Sequence, residues 1–174
     1  MTIKQFNGQW VSEEDRLLFR FNTLDDREFR FWLTRNSTKT IIAGSQQLST
    51  EILKARFAPG TAEVVQEFQQ QAAKQTTHFN ESYTSGGQLV LGEKPLLVTG
   101  VSMQTENGLM SIDLRLETKQ NVNIRITPPV FQKMVLLLIK LQEQARWSIE
   151  LPGVEAKNPP EDGITATSAK SVVH

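Results

Sequence analysis

Between Leu17 and Leu33 apolar and polar residues alternate in two runs, Leu17, Phe19 and Phe21 and then Phe29, Phe31 and Leu33, separated by Leu24-Asp25-Asp26. Successive side chains of an extended chain point to opposite faces, so each run reads as a strand with one apolar face. Keeping both apolar sets on one face of an antiparallel pair sets Phe21 against Phe29, Phe19 against Phe31 and Leu17 against Leu33. Arg20 then stands opposite Arg30.

A second hairpin follows from Asn107-Gly108, residues that accept the positive φ angles of a type I′ turn. With these two at the turn, Met103 pairs with Ile112 and Val101 with Leu114, and all four share a face. The alternation continues through Leu116 and resumes at Val122, Ile124 and Ile126. A three-residue loop at Thr118 to Gln120 keeps those faces together and sets Arg125 opposite Asp113. Asn7-Gly8 carries the same turn chemistry and predicts a small hairpin joining Ile3–Gln5 to Trp10–Val11. A short closing strand is expected at Trp147, Ile149 and Leu151.

Three segments read as helix. The first runs from about Ser37 to Phe57, with Ile41, Leu48, Ile52 and Ala55 on one stripe. The second begins after Pro59-Gly60 and carries Val65, Phe68, Ala72 and Phe79 among glutamines. The third begins with Thr127 as N-cap and Pro128 at the first helical position, where proline's missing N–H costs nothing. Its Phe131, Met134, Val135, Leu138, Leu141 and Ala145 form one face, and Leu136, Leu137 and Ile139 fill much of the rest.

These elements predict an α+β fold, an antiparallel sheet of about 5–6 strands packed on 2–3 helices in the order β-β-α-α-β-β-β-α. At 174 residues the chain has the length of one domain. Residues 1–151 form that domain, and 152–174, with Asn158-Pro159-Pro160 and little apolar surface, read as a flexible C-terminal tail. The start, Met1 to Phe6, lacks the pattern of a secretory signal, which makes the cytoplasm the expected compartment. No apolar run approaches the roughly 20 residues that span a bilayer, so no membrane insertion is expected.

The candidate chemistry is sparse. There is no cysteine, so disulfides, thiolate nucleophiles and zinc-thiolate sites are excluded. Of the two histidines, His174 ends the chain and His78 has no second imidazole at metal-ligand spacing. Gly86-Gly87 and Gly92 fit neither a phosphate-binding loop nor a dinucleotide fingerprint, and no serine lies in a nucleophile elbow. Carboxylates cluster at Glu13-Glu14-Asp15 and at Asp25-Asp26 with Glu28, where they read as solvated strand-end and turn residues. No catalytic residue, cofactor site or metal ligand is assigned, although carboxylates dispersed over loops leave a carboxylate-based enzyme as a third reading.

Two surfaces stand out. Arg16, Arg20, Arg30, Arg115 and Arg125, with Trp32, occupy the polar sides of strands, a pattern that holds phosphates and stacks bases in single-strand nucleic-acid binders. Against this, Lys plus Arg equals Asp plus Glu at 19 each, so no molecule-wide field attracts a polyanion. The third helix offers Met134, Leu137, Leu138 and Leu141 as a candidate oligomer interface. The favoured reading is a non-enzymatic protein-binding or assembly module whose partner is another protein or itself, with nucleic acid as the alternative.

Overall fold

A computed structural model describes residues 2–56 and 82–149, with backbone alone over 52–56. The expected second helix with His78, the expected tail over 152–174, and Leu151 lie outside the described residues. A sheet is built from β1 (Ile3–Val11), β2 (Arg16–Thr23), β3 (Arg27–Leu33), β4 (Gln88–Leu89), β5 (Leu96–Glu106), β6 (Leu109–Leu116) and β7 (Asn121–Ile126). The helices are α1 (Arg35–Arg56) and α2 (Pro128–Gln144). The class is α+β.

The strand order is β1-β2-β3-β5-β6-β7, with β4 also beside β3, in a seven-stranded sheet. It is mixed, which corrects the purely antiparallel expectation: β3 pairs in parallel with both β4 and β5, through Glu28 with Leu89 and Trp32 with Leu97. Hairpin signals report only strands adjacent in sequence. The β3-to-β4 connection contains α1 and is long enough for the crossover that parallel pairing requires. The element order is corrected with it, since three strands precede α1 and four follow the undescribed segment.

Both main hairpins have the registers read from alternation. Phe21 faces Phe29, Arg20 faces Arg30, Met103 faces Ile112 and Val101 faces Leu114. Asn107 and Gly108 adopt φ of 50° and 76°, as a type I′ turn demands. The β6–β7 pair differs by two residues. Lys119, at φ 65°, closes a turn over Glu117–Lys119, its N–H donating to the Leu116 carbonyl. Arg125 therefore faces Ser111, and Asp113 faces Asn123. A slide of two preserves every inward side chain, so burial alone does not separate the two registers.

The expected Asn7-Gly8 hairpin is absent, because β1 runs unbroken through both residues and pairs with β2 along its length. Gly8 lies on the inner face under α2, where an added Cβ would collide with a Leu141 methyl and lie 3.5 Å from Leu137. The glycine serves close approach of helix to sheet. In an open strand Gly→Ala is favourable, by roughly 0.5–1 kcal/mol; here overpacking opposes it, so Gly8→Ala is expected to cost about 1–2 kcal/mol in urea unfolding. A gain in stability would show that α2 does not press on β1.

Phe19, Phe21, Phe29, Phe31, Ile112, Leu114, Ile124, Ile41, Ile42, Phe131 and Leu138 join one core between the sheet and the two helices. Thr127 precedes α2 in extended conformation, although its hydroxyl makes no capping bond; its carbonyl accepts from the Phe131 N–H. The far end closes as a Schellman motif, with Arg146 at φ 53°, its N–H donating to the Glu143 carbonyl and that of Trp147 to the Gln142 carbonyl. The closing strand is not formed over Trp147–Ile149. Instead Trp147 is buried edge-on against Trp10 and donates through Nε1 to Asp15 Oδ1 at 3.2 Å, while the Ile149 N–H donates to Gln142 Oε1.

Candidate functional site

The sheet face turned away from the helices carries the residues of interest in rows across β1, β2 and β3. Pairing aligns Gln5 with Asn22 and Glu28 in one row, Asn7 with Arg20 and Arg30 in the next, and Gln9 with Leu18 and Trp32 in the third. Parallel pairing extends the third row to Leu97 on β5.

The first row is covered. Residues 82–87 cross it as a strap before entering β4. Asn22 accepts from the Gln5 N–H at 2.9 Å and donates to the Thr84 carbonyl at 2.6 Å, and the Gln5 side chain bonds the backbone of Ser82 and Thr84. Glu28 is 1% exposed. Its Oε1 accepts from Arg30 Nε and its Oε2 from the Gly86 N–H, each at 2.6 Å. A carboxylate is tolerated at such burial when both oxygens are bonded and a cation faces it. The close approach favours glycine at position 86, since a Cβ would stand 3.0–3.1 Å from backbone atoms of Asp26 and Arg27.

The second row is half-buried. Arg20 Nε donates to Asn7 Oδ1 at 2.8 Å, and its guanidinium lies 4.4 Å from the centre of the Tyr83 ring. Arg30, 26% exposed at its side chain, reaches the Glu93 carbonyl through Nη1 at 3.4 Å. The Tyr83 hydroxyl is shielded from solvent beside the Glu28 carboxylate, without a well-formed hydrogen bond among the described residues. Burial and the nearby Glu28 charge raise its pKa well above the ordinary tyrosine value, against the lowering influence of Arg20.

The third row is apolar. Leu18, Trp32 and Leu97 are half-buried, point away from the helices and stand outside the main core. The Leu97 N–H donates to Glu117 Oε1 at 3.1 Å, which places a carboxylate at that end of the row. Arg16, two residues before Leu18, lies toward the other end beside Glu14 at 3.8 Å.

The six residues read as a nucleic-acid face thus share the outer side of one sheet but do not form one basic stripe. Arg20 and Arg30 sit beneath Tyr83 and beside Glu28. Arg125 pairs with Glu106 at 3.3 Å, and Arg115 stands alongside Gly100 on the far half of the sheet. Met134, Leu137, Leu138 and Leu141 are buried within the chain, Leu137 and Leu141 against Gly8 of β1. That leaves them little surface to offer a second copy.

Sequence reasoning read Glu28 as a solvated turn carboxylate, which its burial corrects, and singled out none of Tyr83, Asn22 and Gln5. Glu28 follows two turn aspartates and alternates like any solvated strand residue; the only local sign was Gly86-Gly87 after Tyr83, a pair suited to close backbone approach. Among the described residues no group of His, Asp and Glu is placed to hold a metal ion, and no helix is long and apolar enough to cross a membrane. No protein-family model, curated protein or solved structure matches the chain.

Proposed function

We propose that the chain is a non-enzymatic assembly module that associates with a second copy of itself through the row Leu18, Trp32 and Leu97. The observation that supports it is this second apolar set, outside the core and on the face opposite the helices. A tryptophan flanked by leucines, with polar neighbours around it, has the make-up of an interface centre. A two-fold axis at Trp32 lays Leu18 of each copy over Leu97 of the other and brings the Arg16 end of one row toward the Glu117 end of its mate. The molecule's zero net charge adds no mutual repulsion.

Single-stranded nucleic acid is less well supported. Glu14, Glu28 and Glu106 each stand beside an arginine of the proposed stripe, which lowers the positive charge available to phosphates. Native mass spectrometry of the full-length protein at low salt tests the assembly reading. A dimer is expected, and Trp32→Ala, checked for folding by circular dichroism, should weaken it by about 2 kcal/mol, roughly thirtyfold in Kd. A monomer at every concentration, or a dimer indifferent to Trp32→Ala, would refute it.

A further inference from the structure

We propose that the Asn107-Gly108 peptide is a site of spontaneous modification, where the asparagine loses ammonia and the main chain is rerouted through its side chain as isoaspartate, independently of self-association. The dipeptide Asn-Gly occurs twice in the chain, and every other asparagine precedes a residue with a side chain. The following residue matters because its backbone nitrogen is the attacking group, and a Cβ beside that nitrogen crowds the approach. The two Asn-Gly pairs have opposite surroundings.

Asn107 and Gly108 are both exposed at the tip of the β5–β6 hairpin. Glu106 pairs with Leu109, so the Gly108 N–H lies outside the strand ladder, and a Cβ built on Gly108 would meet nothing within 4 Å. Such a tip opens without disturbing the core. Asn7 and Gly8 lie inside β1, paired with Arg20 and Phe19 of β2. The Asn7 Oδ1 accepts from Arg20 Nε at 2.8 Å, and Gly8 is pressed under Leu141 and Leu137 of α2. Reaction there needs β1 to leave both the sheet and the helix.

Water is the only co-reactant. The Gly108 nitrogen gives its proton to solvent and bonds to Cγ of Asn107, the Cγ–Nδ2 bond breaks, and ammonia leaves a cyclic imide behind. Water then adds to one of the two imide carbonyls. Opening at Cγ yields aspartate, whereas opening at the main-chain carbonyl yields isoaspartate, whose backbone carries an extra methylene; nothing is oxidised or reduced. The lengthened backbone does not fit the hairpin, because the φ angles of 50° and 76° at Asn107 and Gly108 belong to a two-residue turn matched to the twist of its strands. Modification therefore loosens the joined ends of β5 and β6.

The test holds the intact protein in neutral buffer at physiological temperature for weeks and follows both asparagines by peptide mapping with mass spectrometry. Isoaspartate is told from aspartate by its methylation with an isoaspartyl carboxyl methyltransferase. In the folded protein Asn107 is expected to convert at least about tenfold faster than Asn7, since a hairpin tip opens far more readily than a strand packed in the core. In urea the two should convert at like rates. Like rates in the folded protein, or a difference that persists in urea, would overturn the structural basis of the site. Aspartate as the sole product would refute rerouting of the chain. Hydrogen exchange reads the effect on the hairpin: the amides of Glu106 and Leu109 should lose protection in the modified protein and keep it in Asn107→Asp, which has the charge without the extra methylene. Equal protection in the two would refute the loosening.

Discussion

Phe21→Ala is expected to lower the stability of the folded chain by about 3–5 kcal/mol, the range for deleting a fully buried aromatic ring. Phe21 is 0% exposed. Its ring stacks on Phe29 at 4.9 Å between centroids and lies 5.9 Å from Phe31, 6.3 Å from Phe6 and 6.4 Å from Phe19. Rings contributed by three strands cannot all shift to fill the space, so most of the cavity persists. Urea denaturation gives the value. A loss below about 1 kcal/mol would mean that the cluster collapses around the vacancy and that β1 to β3 are less rigidly packed than this geometry states.

Glu28→Ala is expected to cost about 2–4 kcal/mol and to act locally as well as globally. The substitution leaves the Gly86 N–H without its acceptor and Arg30 without its counterion. Breaking a fully buried pair costs about 3–5 kcal/mol; the lower range allows for the partial solvation of Arg30. Hydrogen exchange separates this from a general loss of stability, because the Gly86 amide should lose protection by more than the amides of β5 and β6. Equal loss everywhere would mean that Glu28 does not hold the strap.

The contrast between these two residues shows what could be read from sequence. Phe21 was legible because burial imposes a period of two on a strand, and the same reasoning set the registers of β2 with β3 and of β5 with β6. It did not set that of β6 with β7, where turn geometry at Lys119 decided between two arrangements that bury the same side chains. Gly8 misled because the residue suited to a positive φ is also the residue that lets a helix approach a sheet. The end of α2, expected near Arg146, falls within two residues of it at Gln144, although Arg146 takes a conformation for which glycine is the usual signal.

The candidate sites were hidden more deeply. Alternation placed Arg20, Arg30 and Trp32 on one face, and that placement held. Whether such a face meets water depends on segments distant in sequence, and nothing in Arg27 to Leu33 announces that Ser82 to Gly87 will cross over it. The surface proposed for association differs from the one expected for a related reason. The third helix looked to have apolar area to spare, but β1 and α1 take up much of it, whereas Leu18, Trp32 and Leu97, outside the core, lie on the opposite side of the sheet.

The measurement that bears most directly on the assembly reading exploits the absence of cysteine from the chain. Leu18→Cys and Leu97→Cys are prepared as separate single variants, checked for folding, and treated with a short bifunctional thiol reagent, alone and mixed. A two-fold arrangement about Trp32 brings residue 18 of one copy over residue 97 of the other. The expected result is a cross-linked dimer in the mixture and little in either variant alone. Equal cross-linking in all three samples, or none in the mixture of folded variants, would contradict association through this row.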